Sequence, residues 1–277
     1  MLNNTETTKT TKRKALLIGF QYQNEKKLPG IATDLYQVYY FLKKQGWKNS
    51  EIVIMTDIVK DEETEVLKDA ILEKIVNSDI LTFIEDCRER KQYIQFNSNN
   101  HYNNFLSIFT KIDNLFVYYT GHCKNEILIL PDNSNISLEL FKKHFYAKNV
   151  VCIMDCCEGG IKLPFILNNN IYRCREELNF VKSEIICISS SLEDEKSTTT
   201  KIGSFFTRSL ISVLNDSSLS LFSILERIRK SLNSLNQTTN ISASFPTLVY
   251  IPGFIYSSSP ILLENKQSYI IVNLKDK

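Results

Sequence analysis

Glycine is scarce in this sequence, and several features that mark special classes of protein are absent. Only 8 of the 277 residues are Gly, about 3% against a usual value of about 7%. No apolar run reaches the roughly 18 residues of a membrane span, and the first residues have no apolar leader-like segment. Pairs of C-x-x-C motifs are also missing among the seven Cys, which argues against a zinc site of that kind.

Charge is balanced as well. The chain has 33 Lys and Arg against 31 Asp and Glu, a net charge of +2, so the sequence gives no reason to expect a nucleic-acid or membrane partner. An odd number of Cys without metal spacing favours reduced thiols. We therefore expect a cytoplasmic protein, with no cofactor and no bound metal.

The remaining composition is that of a globular domain. Hydrophobic residues make up 43% and charged residues 23%, close to globular averages. Residues 1–13 are mostly Thr, Asn and Lys, which predicts a disordered basic tail. Strand and helix patterns then continue without a linker-like break, so we predict one domain over residues 14–277, with a possible C-terminal hairpin at 254–277.

Short apolar runs alternate with amphipathic helices along this domain. Apolar runs typical of strands buried on both faces lie at residues 15–20, 51–56, 115–119, 150–154, 184–188 and 247–251. Helical patterns lie at 34–44, 61–78, up to about 112, 203–214 and 218–235. This alternation predicts an α/β fold with about six strands in a mostly parallel sheet and helices on both faces.

Two strand ends carry the residues of interest. Thr120-Gly121-His122-Cys123 follows the third predicted strand, and Asp155-Cys156-Cys157-Glu158-Gly159-Gly160 follows the fourth. Ligands of open α/β sheets bind at the carboxyl ends of strands. A thiol with a pKa of about 8.5 needs a base to react near neutral pH, and a nearby His supplies one.

Each of these residues also has an ordinary structural interpretation. A single His after a strand is commonly a surface or core residue, and strand Cys are commonly buried hydrophobes. We interpret His101 and His144 as surface residues and Cys152 and Cys187 as core. A nucleotide-binding or phosphatase-like α/β protein is disfavoured because its glycine-rich and Cys-x5-Arg loops are absent.

The motifs resemble those of caspase-like cysteine peptidases, most closely the metacaspase and paracaspase branch. Tyr118–His122 resembles Y-Y/F-S-G-H-G, and Asp155–Gly160 resembles D-S-C-H-S-G. Weaker matches run in order along residues 15–251: Ala15–Tyr22, Leu28–Asp34, Ser189–Ser197, Gly203–Thr207 and Phe245–Leu248. The resemblance implies a caspase-like three-layer fold and a cysteine endopeptidase.

The resemblance also implies roles for individual residues. It assigns His122 as the base and Cys157 as the nucleophile, with the backbone N–H groups of Cys123 and Cys157 as oxyanion donors. Cys123 stands where the family has Gly, and Glu158 replaces the usual His. These departures leave a catalytically inactive scaffold that binds a partner as the alternative function.

Substrate selection follows from the same resemblance. Asp34, Thr120 and Asp155 should line the pocket for the residue before the scissile bond, and two carboxylates favour Arg or Lys there. Leu28 stands where Asp-specific caspases have Arg. Asp34 also opens a helical pattern and could serve as a helix N-cap. We expect polypeptide substrates cut after a basic residue, no dedicated calcium site, and a monomer or weak homodimer.

Overall fold

A nine-stranded sheet forms the centre of the described part of the chain. The computed structural model describes residues 12–22, 26–57, 93–95, 112–168, 171–174, 182–214 and 221–244. The strands are β1 Arg13–Gly19, β2 Ile52–Thr56, β3 Tyr93–Gln95, β4 Asn114–Thr120, β5 Cys123–Lys124, β6 Ile127–Ile129, β7 Asn135–Ser137, β8 Asn149–Asp155, β9 Phe165–Asn168, β10 Ile171–Cys174, β11 Glu184–Ser189, β12 Thr199–Thr200, β13 Gly203–Ser204 and β14 Asn240–Ala243. The helices are α1 Ile31–Lys44, α2 Leu138–Lys143, α3 Phe205–Leu214 and α4 Leu221–Leu232.

The large sheet is mixed but mostly parallel. Its strand order is β10-β9-β14-β11-β8-β4-β1-β2-β3. The six strands from β11 to β3 run parallel, while β14, β9 and β10 add an antiparallel edge. The predicted α/β class is therefore confirmed, and the sheet has more strands than the six expected.

Alternating side chains of the central strands pack into two separate hydrophobic cores, one on each face of the sheet. In β1, Ala15 and Leu17 belong to the core that also contains the buried faces of α1, α3 and α4. Leu16 and Ile18 belong to the core on the opposite face, together with Phe141 of α2. Because successive side chains of a strand point to opposite faces, a fully apolar run requires cover on both sides, which gives three layers.

Some predicted boundaries and elements differ from the structure. β1 begins at Arg13, inside the predicted tail, where the guanidinium pairs with Glu51 at 3.0 Å and lies over Trp47. Helix α1 begins at Ile31 after Gly30, so the N-cap interpretation of Asp34 is wrong. The short strands β3, β9, β10 and β14 were not predicted, because none of them has a long apolar run.

Other predictions lie outside the described residues. These are the tail up to residue 11, the helices at 61–78 and before 112, the strand at 247–251 and the C-terminal hairpin. Within the described ranges, no helix combines the length and the apolar character that a membrane crossing needs.

Candidate active site

The strand register brings the His and Cys segments side by side. β4 and β8 are parallel neighbours, and Thr120 at the end of β4 pairs with Asp155 at the end of β8. The N–H of Gly121 donates to the carbonyl of Asp155 at 3.4 Å. His122 and Cys157 each follow this pair by two residues, and neighbouring strands lie about 4.8 Å apart. Both residues therefore leave the same edge of the sheet at the same level.

The hydrogen bond made by the His122 ring fixes its tautomer. Nε2 lies 2.8 Å from the carbonyl oxygen of Lys26. A carbonyl oxygen only accepts hydrogen bonds, so Nε2 must carry the proton and Nδ1 of the neutral ring must carry the lone pair. His122 can then accept a further proton at Nδ1.

The two adjacent cysteines have different environments. Cys157 is half-buried, and its Sγ accepts the N–H of Ser197 at 3.4 Å. Burial raises the pKa of the Cys157 thiol, an effect that this N–H partly offsets. Cys156 is buried in the core, where the Cys123 thiol and then burial raise the pKa of Cys156. Of these two cysteines, Cys157 alone combines partial exposure with a donor that stabilises a thiolate.

Cys123 occupies the Gly position without backbone strain. It begins a hairpin in which β5 and β6 are joined by Asn125 and Glu126, with φ of 50° and 60°, as in type I′ turns. The N–H of Ile129 donates to the carbonyl of His122 at 3.1 Å. Hydrogen-bonded pairs alternate along an antiparallel ladder, so the Cys123 N–H points away from β6 and toward the open edge.

Glu158 connects this hairpin to the nucleophile loop. Its carboxylate accepts the N–H of Asn125 at the hairpin turn, and its own N–H donates to the carbonyl of Glu195 at 2.8 Å. Glu158 has a left-handed backbone with φ of 60°. The residue that departs from the family motif therefore ties the segment of Cys123 to the segment of Cys157.

Asp34 and Asp155 come together next to these segments. Both oxygens of Asp34 accept the N–H of Ser204, at 2.9 and 3.1 Å. Asp155 accepts hydroxyls of Ser197 at 2.8 Å, Thr207 at 2.7 Å and Ser204. Ser204 thus bridges the two carboxylates, which lie in α1 and β8 respectively.

Burial and mutual repulsion define the electrostatics of this carboxylate pair. Burial raises the pKa of Asp34 well above its usual range and the charge of Asp155 raises it further, while the N–H of Ser204 and then the charge of Arg208 partly offset both. Burial likewise raises the pKa of Asp155, while its hydroxyl donors lower it. The pair therefore has two acidic groups and one nearby guanidinium, which favours a further cation.

Thr120 joins the same network through Tyr118. It is buried at the end of β4, and its hydroxyl hydrogen-bonds to the Tyr118 phenol. That phenol lies 2.7 Å from Oγ1 of Thr207, which in turn donates to Asp155. The three residues predicted to bind substrate are therefore linked in one polar cluster.

A comparison with protein families matches the caspase domain over residues 12–250. The chain belongs to the caspase domain family. A comparison with curated proteins finds no match. Among solved structures, a caspase-1 from Spodoptera frugiperda is similar, with 12% identity, a TM-score of 0.48, and coverage of 84% of this chain and 86% of that one.

Family membership supports a cysteine peptidase-type function with polypeptide substrates. The structure also shows where the other Cys and His residues named in the sequence analysis lie. Cys152 and Cys187 are buried in β8 and β11, as expected for core residues. His144 is half-buried beyond α2, where burial lowers its pKa. His101 lies outside the described residues.

Two acidic residues in the loop after β11, Asp194 and Glu195, differ in their contacts. The carboxylate of Glu195 accepts the N–H groups of Leu192 at 2.9 Å and Thr238 at 2.7 Å, so it braces its loop. Asp194 is exposed. In the part of the chain that the structure describes, no group of three or more His, Cys, Asp or Glu could hold a metal ion.

The sequence analysis assigned no role to three residues that shape the site. Tyr22 and Lys26 follow β1, and they contact the ring or the backbone of His122. Ser204 was quoted within a motif without a role, although it bridges Asp34 and Asp155. A signal for Ser204 was its position directly after Gly203, since a side chain at Gly203 would collide with Asp34.

Proposed function

We propose that this caspase domain is a cysteine endopeptidase of the metacaspase and paracaspase type, which uses a dyad of His122 and Cys157. The observation that carries the proposal is the Nε2–Lys26 hydrogen bond, combined with the register that places both residues two positions beyond the Thr120–Asp155 pair. Together they support the proposal, because they give a ring whose Nδ1 carries the lone pair and a half-buried thiol that leaves the same edge of the sheet.

The chemistry would follow from these groups. Nδ1 of His122 takes the proton of Cys157 Sγ, and the thiolate attacks the peptide carbonyl carbon. The N–H groups of Cys123 and Cys157 hold the oxyanion, since any non-Pro residue supplies a main-chain donor. His122 then protonates the departing amine, and water releases the acyl group from the thioester.

Specificity for Arg or Lys is supported by the buried carboxylate pair. A cationic side chain reaching Asp34 and Asp155 would relieve the repulsion that raises the pKa of Asp34. It would also meet hydrogen-bond acceptors that suit a guanidinium. An acidic side chain would add a third negative charge to the same cluster. We accordingly propose cleavage after basic residues. We further propose that the protein is a monomer or weak homodimer and acts in the cytoplasm.

The decisive experiment is labelling by a peptidyl-Arg acyloxymethyl ketone, which alkylates an activated thiol. We expect wild type to be labelled and Cys157→Ala to lose both labelling and turnover. Cys156→Ala is the matched control, because Cys156 is buried beside Cys123, and it should retain labelling. Labelling of Cys156 would contradict the assignment of the nucleophile. A wild type with neither labelling nor turnover would favour the inactive scaffold.

A further inference from the structure

Two buried tyrosines hold the backbone of His122 from both sides. The N–H of His122 donates to Oη of Tyr22 at 2.8 Å, and Oη of Tyr119 donates to the carbonyl of His122 at 2.9 Å. The Tyr22 hydroxyl in turn donates to the carbonyl of Ile129 at 2.6 Å. Tyr22 therefore links the backbone of His122 directly to β6 of the neighbouring hairpin.

Tyr22 also contacts the imidazole. The two ring centroids are 4.6 Å apart, with planes inclined by 46°. The carbonyl of Lys26, in the same segment between β1 and α1, receives the Nε2 proton. One short stretch of chain thus supplies both a wall for the ring and the acceptor that sets its tautomer.

The backbone of Tyr22 is itself fixed. It has a left-handed φ of 58°, a conformation that is uncommon for a bulky residue. The carboxylate of Asp57, just after β2, accepts the N–H of Gln21 at 2.7 Å and the N–H of Tyr22 at 2.8 Å. Such a conformation persists only where the surrounding contacts determine it. Here the Asp57 carboxylate determines it by accepting the N–H groups of Gln21 and Tyr22.

Gly121 gives an independent sign that the two hydroxyls shape this segment. A Cβ at Gly121 would lie 2.8 Å from Oη of Tyr119 and 2.8 Å from Oη of Tyr22. The position before His122 therefore has room only for Gly, because the two phenols occupy the space that a side chain would need.

We propose that Tyr22 is a positioning residue for the peptidase reaction, holding His122 in the place where the Lys26 carbonyl fixes the Nε2–H tautomer and leaves Nδ1 available to the thiol. This inference rests on the proposed function for its effect on turnover. Tyr22 does not touch substrate in this proposal. It acts through His122, by its hydroxyl on the backbone and by its ring on the imidazole.

The test compares Tyr22→Phe with Tyr39→Phe. Tyr22→Phe removes only the hydroxyl and keeps the ring. Tyr39→Phe is the matched control, because it also removes one phenol hydroxyl that donates a hydrogen bond, to Asn49 at 2.9 Å, just before the amino end of β2 and away from His122. With a peptidyl-Arg substrate, kcat of Tyr22→Phe should fall by about tenfold or more, because a base displaced by a fraction of an ångström transfers protons poorly, while KM stays unchanged. Tyr39→Phe should keep the kcat of wild type.

A second readout does not depend on activity. The chain has only 3 His, so the nitrogen chemical shifts of the His122 ring can be assigned by NMR. Wild type should show the Nε2–H tautomer, and Tyr22→Phe should shift toward a tautomer mixture. If wild type lacks turnover, the proposed function fails, while this tautomer shift still supports Tyr22 as a positioning residue.

Two results would overturn the inference. One is a Tyr22→Phe variant with the kcat of wild type; the other is a variant whose His122 tautomer is unchanged. If Tyr22→Phe does not fold, Tyr119→Phe provides the measurement, since it removes the other hydroxyl from the His122 backbone. We expect the same fall in kcat there, and an unchanged kcat would equally refute the role of this pair.

Discussion

Replacing Asp34 by Asn removes one charge from the buried carboxylate pair and nearly preserves the shape of the side chain. In wild type, the N–H of Ser204 donates to both carboxylate oxygens of Asp34 at 2.9 and 3.1 Å. The amide oxygen of Asn can still accept this N–H. Packing and the principal hydrogen bond are therefore kept. The substitution changes the charge that a basic substrate side chain would meet, and little else.

The magnitude of the effect on catalysis follows from the burial of the pair. Removing one partner of a buried charge pair costs about 2–5 kcal/mol of binding, which corresponds to between about 30-fold and several thousand-fold in kcat/KM. We expect this loss for a substrate with Arg before the scissile bond. A matched substrate with citrulline, which has the same shape without the charge, should lose far less.

Stability should change in the opposite direction. Burial and the charge of Asp155 raise the pKa of Asp34 in the folded state above its value in the unfolded chain, so the folded state holds this proton more tightly. The free energy of unfolding then falls as pH rises above about 4, the ordinary pKa of Asp. Asp34→Asn removes this penalty, so its Tm should exceed that of wild type at pH 8 and match it near pH 4.

The assay therefore combines the ratio of Arg to citrulline cleavage with melting at two pH values. Asp113→Asn is the matched control, because Asp113 is exposed beside the amino end of β4, where its carboxylate accepts the main-chain N–H of Lys12 at 2.8 Å. Both readouts should match wild type in that control. An unchanged Arg preference in Asp34→Asn, or a lower Tm at pH 8, would refute the reasoning.

Three simpler experiments test the rest of the site. Turnover of a peptidyl-Arg substrate should be equal with calcium and with chelator, because residues 161–170 contain no acid; a strict calcium requirement would contradict this. Cys123→Gly should be at least as active as wild type, since the oxyanion donor is main-chain. Reducing agent should raise wild-type turnover by breaking a disulfide between the neighbouring thiols of Cys123 and Cys156, and it should have no effect in Cys156→Ala, which lacks one of these thiols. Wild type should cut itself after Lys182, which is exposed, rather than after Lys162, which pairs with Glu126 at 2.5 Å; intact masses equal to those of Cys157→Ala would exclude this.

The central strands could be predicted because burial on both faces requires a run of consecutive apolar residues, which is visible in the sequence. β1, β4, β8 and β11 are covered on both faces, so each appears as an uninterrupted apolar run. The antiparallel strands at the edge of the sheet have no such apolar run. β14 reads Asn-Ile-Ser-Ala, and its buried polar side chains are satisfied by distant partners, as when Ser242 donates to the carbonyl of Ile161.

The positions of His122 and Cys157 could be predicted for a related reason. Parallel strands end at a common edge, so residues just after two buried runs meet if the strands are neighbours. Sequence order alone does not show that β4 and β8 are neighbours, and the family resemblance supplied that step. Their in-register pairing at Thr120 and Asp155 was then decided by the sheet.

Contacts between segments far apart in the chain left no pattern to find. Tyr22 reaches His122 across 100 residues, and Ser204 reaches Asp34 across 170. Neither contact produces a period of 2 or 3.6 in the sequence, because each is made by a loop or a two-residue strand. Only the assembled fold shows that a tyrosine after β1 holds the His after β4.

The scarcity of Gly nevertheless carried information about these contacts. In a chain with few Gly, each one that remains is expected where a side chain cannot be accommodated. Gly121 lies against the hydroxyls of Tyr22 and Tyr119, and Gly203 lies against the carboxylate of Asp34. Gly46 is different, because nothing lies near its missing side chain and its φ of 78° follows the end of α1. Gly121 and Gly203 therefore mark places where polar groups of the site lie directly against the backbone, whereas Gly46 marks a helix end.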